Sequence, residues 1–258
     1  MKIKPSLKFY LRNMFLAVGV YYAITTVMLM VVTIILNLFK VGNEEMNFSS
    51  STEFGSPTFC IIWGILIFTA YMKFMLQNGV SRKTMFMSGV LSTVILAFAM
   101  SIIDFVIQIV IGKMGGLLNV SLTGRPAFSI LYRNGIFISE FTFGDVVLNL
   151  IWSSLFAVFL GFLGMISGLV FYRLSKIGRI IAGVGLGGGL VILLPIAEET
   201  ITNGAISRAA KQFVLFVLGL QHSSGPNPYI WFASSLVLCA VIGGLSYLLL
   251  RRAAPQKA

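Results

Sequence analysis

Hydrophobic residues run along the chain in six long blocks separated by short polar segments, at residues 15–39, 57–77, 85–112, 146–172, 180–197 and 228–250. A helix needs roughly 20 apolar residues to cross a bilayer, and each block approaches or exceeds that length. Backbone polar groups in hydrocarbon must be satisfied within the segment. The pattern therefore predicts an all-α membrane protein with six transmembrane helices in a single domain over 1–258. No stretch remains for a soluble catalytic domain. The first block is too long for a cleavable signal, and no small-residue cleavage site follows it. Residues 2–14 read differently. Ile3, Leu7, Tyr10, Leu11 and Met14 recur at the helical period, while Lys4, Lys8 and Arg12 form a basic stripe and Pro5 suits a first helical turn. This predicts an amphipathic helix lying in the membrane interface ahead of the first span.

The connecting segments differ in kind. Residues 40–56, with Glu44, Glu45, Glu53 and a Ser/Thr run, read as a solvated turn. The 113–145 segment is the longest. Its stretches Ala127–Arg133 and Ile136–Thr142 are rich in strand formers around Asn134-Gly135, a favoured pair for a tight turn, so a small β-hairpin is expected at 127–142. Residues 205–219 are half apolar and too short to span. With 198–204 they read as re-entrant helices between the fifth and sixth spans.

Charge orients the blocks. With the N-terminus in the cytoplasm, the inner segments hold Lys2, Lys4, Lys8, Arg12, Lys73, Arg82, Lys83, Arg173, Lys176, Arg179, Arg251, Arg252 and Lys257, and no acid. The other side holds Lys40, Lys113, Arg125, Arg133, Arg208 and Lys211 together with every acid except Asp104. The basic asymmetry places both termini in the cytoplasm of a multi-pass plasma-membrane protein. The net charge of +11 then answers to that rule and to anionic lipid headgroups rather than to nucleic acid. Only 10% of the residues are charged, against about 25% in soluble domains.

Candidate chemistry is sparse. One His and two cysteines, Cys60 and Cys239, furnish no thiolate–imidazole metal set, and the cysteines sit at different depths, too far apart to pair. Asp104 is the one acid well inside a span. It reads either as a hydrogen-bonded carboxylate facing the bundle, with Gln108 one turn on, or as part of a substrate path. Glu198-Glu199 lacks the Arg that a Glu-Glu-x-x-x-Arg protease carries, since Asn203 stands there. No nucleophile elbow or nucleotide-binding loop is present, so the chain is expected not to be an enzyme and to hold no cofactor. Gly183, Gly185, Gly187 and Gly189 in the fifth block, and Gly164/Gly168 in the fourth, set small residues four apart. Such spacing brings helices close, within one copy or across a dimer.

Two short inner loops are basic: Asn78-Gly79-Val80-Ser81-Arg82-Lys83-Thr84, and the segment carrying Arg173, Lys176 and Arg179. The first, in its place after the second span, is similar to the Gly-x-Ser-Arg-Lys/Arg segment of ABC-2-type permeases, and the whole layout resembles that family. The resemblance implies that 78–84 forms a coupling helix on a separate ABC ATPase subunit, with Arg173, Lys176 and Arg179 as a second contact. It implies a homodimer, or a pair with a related permease, whose ATP and Mg sit in the partner ATPase. Spans rich in Phe, Leu, Ile, Val and Met suit a hydrophobic or amphipathic cargo, with a toxin or antimicrobial peptide the favoured case. The competing readings are a six-span substrate-binding subunit of a vitamin importer and a non-transport immunity or sensor membrane protein.

Overall fold

The computed structural model describes residues 3–39, 51–117, 126–175, 177, 178, 181, 205–221 and 225–251. Among these residues the protein is helical, with no strand. The helices are α1 (Ile3–Phe39), α2 (Ser51–Gln77), α3 (Arg82–Leu117), α4 (Ala127–Tyr132), α5 (Phe143–Arg173), α6 (Ala205–Val217) and α7 (Pro228–Arg251). Five of them, α1, α2, α3, α5 and α7, are long and apolar enough to cross a membrane. Apart from Ile181, the block at 180–197 lies outside the described residues, with Gly183, Gly185, Gly187 and Gly189. So do Lys176, Arg179, residues 40–50 and residues 198–204.

The bundle is organised around α5, which packs against α2, α3 and α7, while α1 packs mainly on α3. Glycine sets the closest of these contacts. A Cβ at Gly164 would strike the Ile61 carbonyl, one at Gly64 the Gly161 carbonyl, and one at Gly168 would lie 2.8 Å from the Ile65 carbonyl. The backbones of α2 and α5 therefore touch over successive turns. In lipid there is no hydrophobic force to draw helices together, so the packing over this contact area is what holds them. Around the seam lie fully buried Trp63, Ile67, Phe68, Leu96, Met100, Met165 and Leu169. Cys60 and Cys239 are buried packing residues.

The N-terminal segment departs from expectation. Residues 3–14 continue without a break into the first span, so α1 is one helix. Its apolar stripe meets protein: Tyr10 and Met14 are fully buried, and the Ser6 hydroxyl is hydrogen-bonded to the Ser88 hydroxyl of α3 at 2.8 Å. The Lys4, Lys8 and Arg12 stripe stays exposed, as its period predicts.

The expected hairpin at 127–142 is also replaced. Ala127, Phe128 and Ser129 are all buried in succession, which a strand with alternating faces does not allow. Instead Pro126 opens one short helix, with the Ile130 N–H on the Pro126 carbonyl at 3.1 Å. The predicted turn survives: Asn134 and Gly135 both have positive φ, 54° and 73°. After it, Ile138–Glu140 makes a 3-10 turn. This segment caps one end of the bundle. Phe128 packs with Trp152 and Trp231, the Tyr132 hydroxyl donates to the Leu218 carbonyl at 2.6 Å, and Arg133 pairs with Asp145 at 2.7 Å. Burial raises the Tyr132 hydroxyl pKa, so the phenol stays a donor.

Thr142 starts α5 with a capping box: its side chain accepts from the Asp145 N–H, and the Asp145 carboxylate accepts from the Thr142 N–H and hydroxyl. Thr142→Ala removes the two bonds made by the hydroxyl and keeps the main-chain N–H on the Asp145 carboxylate; it is expected to lower the thermal midpoint, at a cost of about 1 kcal/mol. Thr142→Ser keeps the oxygen and should unfold like the parent. A Thr142→Ala protein with an unchanged midpoint would show that the cap adds nothing.

Candidate functional site

Two places carry polar groups in arrangements that packing alone does not require. One lies at the start of α3 and the other around Asp104, farther along the same helix.

The first is the turn between α2 and α3. The Val80 N–H reaches back to the Met75 carbonyl and the Gly79 N–H to the Leu76 carbonyl, both at 3.1 Å. This is a Schellman closure with Gly79, φ 70°, in the left-handed position that glycine takes without strain. Ser81 then caps α3, accepting from the Thr84 N–H at 3.2 Å and sharing a 2.8 Å hydrogen bond with the Thr84 hydroxyl. Gly and Ser two residues apart thus end one helix and start the next. The segment 78–84 is a tight turn and a first helical turn, continuous with α3. Arg82 is half-buried and donates to the Arg251 carbonyl at the end of α7, 2.8 Å away. That contact suits a helix C-terminus, where partial negative charge collects. Lys83 is exposed, and its charge opposes the positive end of its own helix. A groove of ≈ 560 Å³ separates this turn from the start of α1, between Pro5, Phe9, Phe74 and Val80. Arg173 is exposed at the end of α5. Its companions Lys176 and Arg179 lie outside the described residues.

The second place surrounds Asp104, which is 5% exposed. The Tyr22 hydroxyl of α1 donates to Asp104 Oδ1 at 2.7 Å and lies 3.2 Å from the Ser56 hydroxyl of α2. Asp104 does not pair with Gln108. The Gln108 amide lies beside Glu53, outside good hydrogen-bond geometry. Glu53 itself corrects the reading of 40–56 as solvated turn. Residues from Ser51 onward are helical, Glu53 is 8% exposed, and its Oε2 accepts the Ala127 N–H at 2.6 Å. The Glu53 carboxyl is near enough to Asp104 for the two charges to oppose each other. Asn149 of α5 completes the group, 2% exposed with its Oδ1 lacking a partner. Asp104 was visible in the sequence as a lone acid in a span. Glu53 was visible only as an acid of a polar segment, and Tyr22, Ser56 and Asn149 were not visible, because an isolated hydroxyl or amide in an apolar run gives no sign of which face it occupies.

No family model matches the chain, and no curated protein or solved structure matches it.

Proposed function

We propose that the chain is the membrane subunit of an ATP-driven exporter, similar in plan to the ABC-2-type permeases, working with separate ABC ATPase subunits. The observation that carries this reading is the turn at 78–84. It is short, closed by its own hydrogen bonds and continuous with both α2 and α3, so force applied at Lys83 is transmitted into two spanning helices rather than absorbed by a loop. A flexible connection would need no Schellman closure and no cap. The basic asymmetry puts this turn, the chain termini and the α5 end on the cytoplasmic side, where an ATPase would sit. Two copies, or one with a related permease, would complete the pathway. ATP and Mg would bind the ATPase.

Hydrophobic or amphipathic cargo, above all a peptide, fits the walls best. Phe15, Leu16, Val20, Ile24 and Val27 make the exposed side of α1 beyond Arg12 mostly apolar. A polar solute there would lose hydration without compensation, several kcal/mol per unsatisfied group. The reconstituted permease–ATPase complex should raise its ATP hydrolysis with amphipathic helical peptides and ignore sugars, amino acids and vitamins. Stimulation by a hydrophilic solute and by no amphipath would reject the exporter reading in favour of an importer subunit.

A further inference from the structure

The Glu53–Asp104 group encloses a small cavity of ≈ 10 Å³, about the room that one water-sized particle needs. Three helices contribute oxygen to its wall: Glu53 and Ser56 from α2, Ser101 and Asp104 from α3, Asn149 and Ser153 from α5. None of the lining residues brings a nitrogen cation or a sulfur. Pro57 also lines it. Proline has no N–H, so the Glu53 main-chain carbonyl one turn earlier loses its helical donor and keeps acceptor capacity.

Two features of this cavity lack an internal explanation. Two carboxyls share it, and among the described residues no Lys, Arg or His pairs with either; the Arg133 ion pair goes to Asp145. A buried, uncompensated charge costs several kcal/mol, and two beside each other cost more. Independently, Asn149 lines the cavity with its Oδ1 unpartnered while only 2% exposed. Protonating one carboxyl would still leave the other charged in the cavity. One positively charged ligand seated among the oxygens answers both.

We propose that this cavity binds a single hard metal cation of the calcium type. Carboxylate, amide and hydroxyl oxygens are what such a cation prefers, at about 2.3–2.6 Å and in irregular geometry. Its double charge balances both carboxylates. Magnesium fits less well, because it holds on to several waters and the cavity has room for about one. The ion would tie α2, α3 and α5 together beneath the α4 cap, since Glu53 also holds the first N–H of α4. The site is separate from the 78–84 turn and does not depend on the exporter reading.

The test uses the purified full chain in lipid nanodiscs, stripped with chelator. Radiolabelled Ca²⁺ should bind saturably, one per chain, and raise the thermal midpoint. Asp104→Asn should abolish binding. Asp145→Asn, a carboxylate outside the cavity, should keep it. Ser153→Ala, which removes one oxygen at little risk to folding, should weaken binding about tenfold, the lower end of what a supporting group contributes to a metal site; it decides the matter if Asp104→Asn does not fold. Absence of saturable Ca²⁺ binding overturns the proposal. So does stabilisation by Na⁺ or by acid alone. It also fails if Arg125→Gln destabilises the protein in a way that chelation does not, since the counter-charge would then be a residue of the chain.

Discussion

Gly164→Leu is expected to lose the folded bundle. The position a Cβ would take at Gly164 is filled by the backbone of Ile61, its carbonyl oxygen first and its Cα at 2.9 Å. A flexible side chain would swing aside, but a helix backbone moves only as a whole. Pushing α2 off α5 at this point also opens the Gly64–Gly161 and Gly168–Ile65 contacts one turn away on either side. Overpacking a close-fitted contact costs about 1–3 kcal/mol even where side chains relax, and here the whole α2–α5 seam has to part. Gly19→Ala is the control. Nothing lies within 4 Å of its Cβ position, and alanine in place of glycine favours a helix by up to about 1 kcal/mol. Gly19→Ala should accumulate in membranes and elute as a single species at least as well as the parent. Gly164→Leu should do neither. Equal behaviour of the two variants would mean that α2 and α5 do not touch at Gly164.

How far the sequence reached depends on how local each signal is. A span is written in one run of apolar residues, so α2, α3, α5 and α7 follow from composition alone. Gly164 and Gly168 are legible as a close-packing pair because their spacing is local. Their partners on α2, Gly64 and the carbonyls of Ile61 and Ile65, are not, since nothing at 61–65 refers to 161–168. The interfacial reading of 2–14 failed for a related reason. An amphipathic period says that one face is buried, not whether lipid or protein buries it, and here protein does: Tyr10 packs on Tyr71 of α2 and Ser6 bonds to Ser88 of α3. At 127–142 the strand propensities of Phe128, Ile130 and Tyr132 were overridden by packing on Trp152 and by the bond from Ala127 to Glu53. The same bond explains the error at Glu53: a carboxylate in a polar run looks solvated until Ala127, 74 residues later, folds over it. Asp104 stood out because an acid in a span is costly wherever it sits, but Tyr22, Ser56 and Asn149, its uncharged neighbours on three other helices, left no trace.

Lys83→Glu should uncouple the chain from its ATPase while leaving the fold intact, which makes it a cleaner probe than Arg82. Arg82 is committed to the Arg251 carbonyl, so reversing it would also release the end of α7 and confuse coupling with stability. Lys83 is exposed on the first turn of α3, two residues after the Ser81 cap. A glutamate there is better placed than lysine for its own helix, because a negative charge suits a helix N-terminus. The variant should therefore be no less stable than the parent. What it changes is the sign of the charge offered to a partner. An acidic surface that attracts Lys83 would repel the glutamate, and a like-charge contact costs several kcal/mol; about 3 kcal/mol corresponds to a loss of more than a hundredfold in affinity. Cargo-stimulated ATP hydrolysis should vanish and co-purification of the ATPase should fall with it, most sharply at low salt, where such contacts are screened least. Lys83→Gln should fall between the two. If Lys83→Glu keeps full stimulated turnover and full ATPase binding, the turn is only a helix connection, and the observation on which the exporter reading rests is gone.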